Sequence, residues 1–187
     1  MRLIVCLLGA LALTGCAKGN EPANQANGAV ADAPASPVTG VLDRSFAGTP
    51  APGFTFQDGE GRPTSMAAFR GKPTLVNLWA TWCAPCVVEM PSLDALAERE
   101  GDALNVVALS QDLDGRALVT NFFAQRNFRH LEANLDPQME YMMALRLGTL
   151  PTTILYDAEG KEVWRMVGMA EWHSDRVAAL LDEAEGG

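Results

Sequence analysis

The sequence has few of the residues that build metal centres or disulfide frameworks. Its 187 residues include four cysteines and two histidines. A structural zinc site needs four ligands, yet there is no second Cys-x-x-Cys pair, and His130 and His173 lack zinc-finger spacing. Val87 rather than histidine follows Cys86, so the haem-attachment pattern Cys-x-x-Cys-His is absent. We therefore predict no metal ligands and no cofactor, and we place both histidines on the surface.

Basic residues are also in the minority. The chain carries 14 lysines and arginines against 23 aspartates and glutamates, a formal net charge of −9. This charge makes nucleic acid and anionic membrane surfaces poor electrostatic partners. The apolar run at residues 3–13 has eleven residues, well below the ~20 that a membrane-spanning helix needs. The sequence therefore predicts neither a nucleic-acid-binding protein nor a membrane span in this run.

The short apolar run instead has the length of a signal-peptide core and follows a charged start at Arg2. Residues 13–16, Leu-Thr-Gly-Cys, resemble the bacterial lipobox. The resemblance implies cleavage before Cys16 and lipid attachment to its sulfur, and two or more acyl chains suffice for stable anchoring. Ordinary secretion with an incidental cysteine is the alternative. We expect a signal peptide over residues 1–15 and an extracytoplasmic protein anchored to a membrane through Cys16.

Composition divides the rest of the chain into a linker and a domain. Residues 17–44 are rich in Ala, Asn, Pro and Gly and show no apolar periodicity, which is typical of disordered segments. We assign residues 16–45 to a flexible, lipid-anchored linker that holds the domain clear of the bilayer. Residues 46–187 have globular composition and are assigned to one folded domain. Ala17 is not an inner-membrane retention aspartate, which favours the outer membrane in a Gram-negative cell.

The chemistry of this domain centres on its only two cysteines, Cys83 and Cys86. Residues 74–79 form an apolar, β-prone run that predicts a buried strand. Residues 90–97 then carry apolar side chains at helical spacing. Cys83 thus lies where a strand ends and a helix begins, and the partial positive charge of a helix N-terminus stabilises a thiolate. Because Cys86 lies one turn later, it can resolve a mixed disulfide. The pattern predicts dithiol–disulfide chemistry.

Residues 82–86, Trp-Cys-Ala-Pro-Cys, followed by Pro91 resemble the thioredoxin superfamily. With Glu89 three places after the second cysteine, the motif resembles that of the membrane-tethered TlpA/ResA-like branch of thiol–disulfide oxidoreductases. The resemblance spans residues 50–184 and implies an α/β thioredoxin fold. It also implies an N-terminal β-hairpin and an inserted helix–strand unit, here at residues 113–135.

Periodicity and turn residues place the elements of this fold. Alternating strands and helices favour parallel pairing with helices on both faces, and a closing hairpin supplies antiparallel edges. The predicted elements are a hairpin around a turn at 58–61, a helical turn at 66–69, strands at 74–79 and 104–109, a helix at 114–127 with Leu118, Phe122 and Phe123 at helical spacing, a short strand at 131–135, a helix opened by Asp136 and ended at Gly148, strands at 152–156 and 162–167, and a helix opened by Ser174.

Leu150 and Pro151 are the second half of the site that the resemblance implies. In the family this proline follows a cis peptide bond beside the cysteines, and the backbone of the preceding residue pairs with a substrate strand. Trp82, Ala84 and Pro85 complete the expected substrate contacts. A plain strand-opening proline is the alternative.

Glu89 marks a difference from thioredoxins in the position of the acidic residue near the cysteines. Thioredoxins bury an aspartate on the central strand, but the corresponding residue here is Asn77, which cannot titrate. A carboxylate one turn beyond the cysteines can exchange a proton as Cys86 attacks or leaves, and its charge raises the pKa of nearby thiols. The alternative is a solvated glutamate on the outer face of the helix.

We predict structural rather than chemical roles for several apolar residues of the domain. We place Trp79 in the core and expect Pro91 to kink the helix that follows the cysteines. Met139, Met142 and Met143 lie at helical spacing and are interpreted as core residues, with copper binding as the alternative.

We therefore predict a membrane-anchored extracytoplasmic reductase of substrate-protein disulfides, acting as a monomer. Ala84 and Pro85 offer no cation or histidine to stabilise the thiolate further, which argues against a strongly oxidising couple. Peroxiredoxin-type chemistry is disfavoured because Ala80 replaces the required threonine. The resemblance implies apocytochrome c or a copper-site protein as substrate and a membrane thiol relay as electron donor. A disulfide oxidase, a copper(I) chaperone using Cys83 and Cys86, and a non-catalytic binding module are the alternatives.

Overall fold

The computed structural model of the protein describes residues 40–184. The strands are β1 (Val41–Asp43), β2 (Phe56–Gln57), β3 (Pro63–Thr64), β4 (Thr74–Trp79), β5 (Asn105–Ser110), β6 (Asn134–Leu135), β7 (Thr152–Tyr156) and β8 (Glu162–Val167). The helices are α1 (Ala84–Glu100), α2 (Arg116–Arg126), α3 (Glu140–Ala144) and α4 (Asp175–Leu181), with 3-10 turns at Met66–Phe69 and Asp182–Ala184.

The strands form one eight-stranded mixed sheet in the order β1-β8-β7-β4-β5-β6-β2-β3. The predicted central strand, β4, pairs in parallel with β5 and antiparallel with β7. All six of its residues are buried, as expected for a strand covered on both faces. Because Leu78 lies opposite Thr152, the end of β4 that leads to the cysteines meets the start of β7.

Alternate residues of β4 contribute to two separate cores, one on each face of the sheet. Leu75 and Trp79 pack with α1, α2 and α4 in the larger core. Val76 and Leu78 pack on the other face with residues of α3 and of the first 3-10 turn. Asn77 therefore points to the same side as Leu75, the side covered by α1.

This arrangement is the predicted α/β thioredoxin fold with both expected additions. The N-terminal hairpin is formed by β2 and β3, which pair antiparallel. The inserted unit consists of α2 and β6, with β6 parallel to β5. The hairpin joins the sheet beyond this unit, where Gln57 lies opposite Leu135. Arg116 of α2 fastens the hairpin turn, since it donates to the carbonyls of Asp58 and Gly59 at 2.6 and 3.2 Å.

The folded domain begins earlier than the sequence predicts. Strand β1 pairs antiparallel with β8, and Arg44 forms an ion pair with Glu183, so the end of the expected linker at residues 16–45 belongs to the domain. A strand of three residues is too short to show a periodicity against the surrounding sequence. The predicted signal peptide, the lipid site at Cys16 and the rest of the linker lie outside the described residues.

The helix expected from Asp136 to Gly148 is shorter, because it spans only Glu140–Ala144. Asp136 still acts at its start, since its carboxylate accepts the backbone N–H of Glu140 and of Tyr141 at 3.1 and 2.8 Å. Left-handed backbone at Met139 and Arg146, with φ of 55° and 53°, interrupts the helical path on either side.

Two apolar side chains with expected inward positions are instead exposed. Leu118 is 38% exposed. Its neighbour Val119 on α2 is instead buried in the larger core. Met143 is 64% exposed, whereas Met142 is buried and Met139 packs partly against the second core. A helix of five residues is too short for its pattern to distinguish these positions.

Other positional predictions are confirmed. Trp79 is fully buried, Pro91 lies inside α1, and His130 and His173 are exposed. Ser174 caps α4 by accepting the N–H of Val177. Within residues 40–184 no helix combines the length and apolarity needed to cross a membrane.

Candidate active site

Cys83 and Cys86 form a disulfide at the N-terminus of α1, with Cα atoms 5.3 Å apart. Cys83 is the N-cap residue, and its sulfur accepts the backbone N–H of Cys86 at 3.4 Å. Pro85 fits the first turn because its missing N–H would have no helical partner there. Cys86 is fully buried whereas Cys83 is 6% exposed. Of the two cysteines, only Cys83 has any surface exposed to solvent.

The loop that leads to the disulfide is held by a buried carboxylate. Asp112 accepts the backbone N–H and the hydroxyl of Thr81 at 3.0 and 2.6 Å, and it also accepts the hydroxyl of Ser110 at 2.8 Å. Trp82, the next residue of the loop, remains 67% exposed, as expected of a substrate contact. The sequence signal for Asp112 is weak: it is a polar residue just after β5, at the sheet end where β4 leads to the cysteines.

The expected substrate-binding residues come together beside the disulfide. The Leu150–Pro151 peptide bond is cis, as the family resemblance implies. A groove of about 420 Å³ runs past it. The groove is lined by Trp82, Cys83, Ala84, Pro85, Met139, Met142, Gly148, Thr149 and Leu150. Pro151 is buried behind this lining. Met139 and Met142 thus line the groove, whereas the sequence favoured the core for both, with copper binding as the alternative.

Glu89 is buried behind the disulfide, with 3% of its surface exposed, so the alternative of a solvated helix-face glutamate is wrong. Its Oε1 accepts a hydrogen bond from the Asn77 amide at 2.8 Å, and its Oε2 accepts the backbone N–H of Ala170 at 3.0 Å. The Asn77 amide also donates to the hydroxyl of Thr153 at 2.9 Å. Since Cys86 and Glu89 are three residues apart on α1, they are neighbours on one helix face.

Burial raises the pKa of Glu89 from its ordinary value of 4.5 to about 7. The hydrogen bonds from Ala170 and Asn77 oppose this rise because they favour the charged form. The indole N–H of Trp172 also favours the charged form, although it lies outside hydrogen-bond geometry. The amide oxygen of Asn77 is buried and has no hydrogen-bond partner. Glu89 is thus poised to exist in both protonation states near neutral pH.

Asn77 and Ala170 reach Glu89 from distant parts of the chain, and Thr153 in turn accepts a hydrogen bond from Asn77. Asn77 lies on β4, Thr153 on β7, and Ala170 follows β8. Sequence reasoning recognised that Asn77 cannot titrate, but it did not identify the contact with Glu89. No local pattern reports that contact, because it depends on how α1 packs against β4.

A cysteine pair joined at a helix N-terminus, beside a cis-proline on this sheet, defines a thiol–disulfide oxidoreductase of the thioredoxin fold. Residues 46–181 match the protein family described as Redoxin. The chain belongs to this family. It is 32% identical over 122 residues to the thiol-disulfide oxidoreductase ResA of a Bacillus cereus strain, covering 65% of this chain and 69% of the relative. With ResA of Geobacillus thermodenitrificans it shares 35% over 117 residues, 61% of this chain and 65% of that protein.

Solved structures show the same fold. The pneumococcal exposed lipoprotein thioredoxin of Streptococcus pneumoniae strain TIGR4 superposes with a TM-score of 0.62 at 24% identity, covering 70% of this chain and 98% of that chain. The thioredoxin domain of a thiol-disulfide oxidoreductase from Bacteroides vulgatus gives a TM-score of 0.60 at 23% identity, covering 72% and 97%. The family match and the ResA relatives identify the protein as a thiol–disulfide oxidoreductase of the ResA type, and disulfide-bearing molecules are its partners.

Proposed function

We propose that this protein is a reductase of disulfides in extracytoplasmic proteins, with Cys83 as nucleophile, Cys86 as resolving thiol and Glu89 as proton acceptor. The observation that carries the proposal is the asymmetry of the disulfide. Cys83 lines the groove, whereas Cys86 is fully buried and lies one helical turn before the buried Glu89 on α1. A substrate in the groove meets the sulfur of Cys83 alone.

The reaction transfers two electrons from the protein dithiol to the substrate disulfide. The Cys83 thiolate attacks one substrate sulfur, the substrate S–S bond breaks, and the released substrate sulfur takes up a proton. The resulting mixed disulfide joins Cys83 to the substrate. The Cys86 thiol then loses its proton and attacks the sulfur of Cys83, which expels the second substrate thiolate. The Cys83–Cys86 disulfide re-forms, and this oxidised state is the one described above.

Glu89 supplies the base for the second step. Its pKa of about 7 keeps a substantial carboxylate fraction at neutral pH. Cys86 is buried, so its thiol has little access to water as a proton acceptor, and the neighbouring carboxylate takes this role. The same charge disfavours a thiolate at Cys86 in the resting dithiol. Proton removal is thereby linked to the attack on the mixed disulfide.

The direction of electron transfer is tested by the reduction potential of the Cys83–Cys86 pair. The residues between the cysteines, Ala84 and Pro85, contain no charge or histidine, so little beyond the helix N-terminus stabilises the thiolate. We expect a potential near that of thioredoxin, about −270 mV. Equilibration of residues 40–187 in thiol buffers, followed by tryptophan fluorescence, measures it. A potential near about −120 mV would instead identify an oxidase.

Disulfide reduction itself is tested with insulin as substrate. The reduced protein should reduce insulin, Cys83→Ser should abolish the reaction, and Cys86→Ser should accumulate a mixed disulfide through Cys83. Absence of turnover by the unmodified protein would retire the enzymatic function and leave a binding module. Trapped substrate on Cys86 in the Cys83→Ser variant would contradict the assigned order of attack.

The proposed location is the extracytoplasmic, periplasmic face of a membrane, with residues 1–15 removed and Cys16 carrying the lipid. The lipobox-like residues before Cys16 support it, and one structural neighbour is described as an exposed lipoprotein thioredoxin. Apocytochrome c cysteines or a copper-site protein are the proposed substrates, and a membrane thiol relay is the proposed electron donor. Cys16→Ser should release the protein from the membrane fraction. Retention of this variant in the membrane would contradict the anchor.

Copper(I) chaperoning is a second candidate, favoured by one observation. Met139 and Met142 line the groove together with Cys83, and thiolates and thioethers are the soft ligands that Cu(I) prefers. Competition of the reduced protein with a Cu(I) chelator tests this function. Weaker binding in Met139→Leu, with unchanged binding in Met143→Leu, would support it, because the exposed Met143 lies outside the groove lining. Equal affinity in both variants would remove Met139 from any copper site.

A further inference from the structure

A second cavity adjoins the active-site groove. Its volume is about 380 Å³. Gly148 and Thr149 line both the groove and the cavity, so a chain that lies across this pair of residues can enter both. No charged residue of the described part of the chain lines the groove around Cys83, whereas the lining of the second cavity includes two arginines and one aspartate. The two compartments therefore differ in the chemistry that they offer to one bound segment.

Arg146 provides the free cation of this cavity. Its side chain is exposed and forms no ion pair with any of residues 40–184. Its backbone is left-handed, with φ of 53°, a conformation uncommon for a residue with a side chain. The turn at Arg146 follows α3 and leads within four residues to Leu150 at the edge of the groove. Arg146 thus belongs to the same loop as Gly148, Thr149 and Leu150, which line the groove.

Arg165 forms the inner wall of the cavity and is only 3% exposed. Its Nε and Nη2 donate to the Glu162 carboxylate at 2.6 Å each, and the ring of Phe46 lies 3.7 Å from its guanidinium carbon. Asp43 also lines the cavity, where its carboxylate accepts the backbone N–H of Ser45 at 2.8 Å. Because Glu162 and Asp43 both lie near Arg165, its charge is largely balanced.

We propose that this cavity is a specificity subsite for a carboxylate on the substrate polypeptide, with Arg146 as the specificity-determining residue. The inference rests on the proposed function, since the same substrate occupies the groove. The planar fork of an arginine matches a carboxylate with two parallel hydrogen bonds. Because Gly148 and Thr149 line both compartments, the acidic residue and the substrate cysteine belong to the same short segment of the substrate. The preferred substrates are disulfides flanked by Asp or Glu.

Synthetic peptides with one internal disulfide provide the test. Each pair differs only in Glu or Gln at one position, and the position is scanned on both sides of the cysteines. The reduced protein should reduce the Glu peptide of at least one pair with about tenfold higher kcat/KM. The difference should lie in KM, because the carboxylate binds away from the reacting sulfurs. The preference should fall with added salt, since an exposed arginine is screened.

Three variants separate the subsite from general effects of charge. Arg146→Gln should bring the Glu-to-Gln ratio to about one. Arg126→Gln is the matched control, because Arg126 is exposed on α2 and lies over the Phe122 ring; its ratio should stay as in the unmodified protein. Asp43→Asn removes the competing carboxylate of the cavity and should increase the ratio.

The outcomes distinguish this inference from the proposed function. If no position shows a preference, or if Arg146→Gln retains the preference, the subsite is refuted while the reductase stands. A loss of preference in Arg126→Gln equal to that in Arg146→Gln would also refute it, because only overall charge would then matter. If neither peptide of any pair is reduced, the proposed function itself fails.

Discussion

The Glu89 carboxyl group and the Asn77 amide form a buried pair, with Nδ2 2.8 Å from Oε1. The amide can serve both protonation states of the acid. As described, its nitrogen donates to the carboxylate and to Thr153, and its oxygen has no partner. After a half-turn of the amide, that oxygen would accept from a protonated Glu89 and from the Thr153 hydroxyl. The unpaired oxygen is therefore the acceptor that the protonated acid requires.

Glu89→Gln tests the role of the acid in resolving the mixed disulfide. In the unmodified protein, the rate of this step should rise with pH around an inflection near the pKa of Glu89, about 7. Glutamine accepts no proton, so the inflection should disappear and the rate at neutral pH should fall about 10²-fold. Stopped-flow fluorescence with a preformed mixed disulfide measures the step. Glu98→Gln, at an exposed position of α1, is the control, and an unchanged pH profile in Glu89→Gln would exclude proton transfer by this residue.

The same variant should be more stable than the unmodified protein at alkaline pH. Burial raises the pKa of Glu89 above its ordinary 4.5, so the folded state binds the proton more tightly than the unfolded state. Stability is then retained below the ordinary pKa and is lost as pH rises toward about 7. The difference between the two pKa values corresponds to a loss of about 3 kcal/mol in the free energy of unfolding at alkaline pH. Glutamine does not titrate, so the variant does not suffer this loss. Urea unfolding at about pH 4 and about pH 8 measures it, and a variant without this pH-dependent gain would contradict the burial of a charged carboxylate.

Asn77→Asp should raise the pH at which Glu89 releases its proton. The substitution places a second carboxyl group at hydrogen-bond distance from Oε1, and two such acids share one proton before both ionise. The inflection of the pH–rate profile should move upward by at least about one pH unit. Carbon-13 NMR of the labelled side-chain carboxyl groups gives an independent measurement. An inflection that stays in place would show that Asn77 does not contact Glu89 in solution.

Asp112→Ala should destabilise the fold and loosen the loop before Cys83. The variant leaves the backbone N–H of Thr81 without its acceptor and removes the bonds to two hydroxyls. We expect a loss of about 2–4 kcal/mol in the free energy of unfolding. Urea denaturation measures this loss, with Asp114→Ala at a neighbouring exposed position as control. Equal stabilities of the two variants would contradict the role of Asp112.

A chain that starts at residue 46 should be less stable than one that starts at residue 40. The shorter chain lacks β1, so it exposes the edge of β8 and removes the packing of Leu42 against the larger core. It also lacks the ion pair of Arg44 with Glu183. We expect a loss of about 1–3 kcal/mol in the free energy of unfolding. Coincident urea transitions of the two chains would show that β1 contributes nothing in solution.

Much of the fold and the reactive pair could be predicted from local patterns. The apolar run that ends at Trp79 and the helical spacing after Met90 locate Cys83 at a helix N-terminus within a few residues. These signals are local because a buried strand and an amphipathic helix each leave a periodic trace. The cis bond before Pro151 was predictable only through family resemblance, since most peptide bonds before proline are trans.

Other features depend on contacts that no local pattern reports. The environment of Glu89 is set by Asn77 and by Ala170, which is 81 positions away in the chain. Solvated and buried glutamates on a helix look alike in sequence, so only the tertiary structure distinguishes them. Strand β1 and helix α3 are too short for a reliable period.

The position at which the chain enters the domain has a consequence for how the domain is anchored. Val41 pairs with Val167 at one end of the sheet. At that same end, the N–H of Gly168 donates to the carbonyl of Pro151 at 2.9 Å, so the entry point at Gly40 and the cis-proline share one pole of the molecule. Under the proposed anchoring at Cys16, the predicted linker therefore joins the domain at the same pole that carries the reactive disulfide.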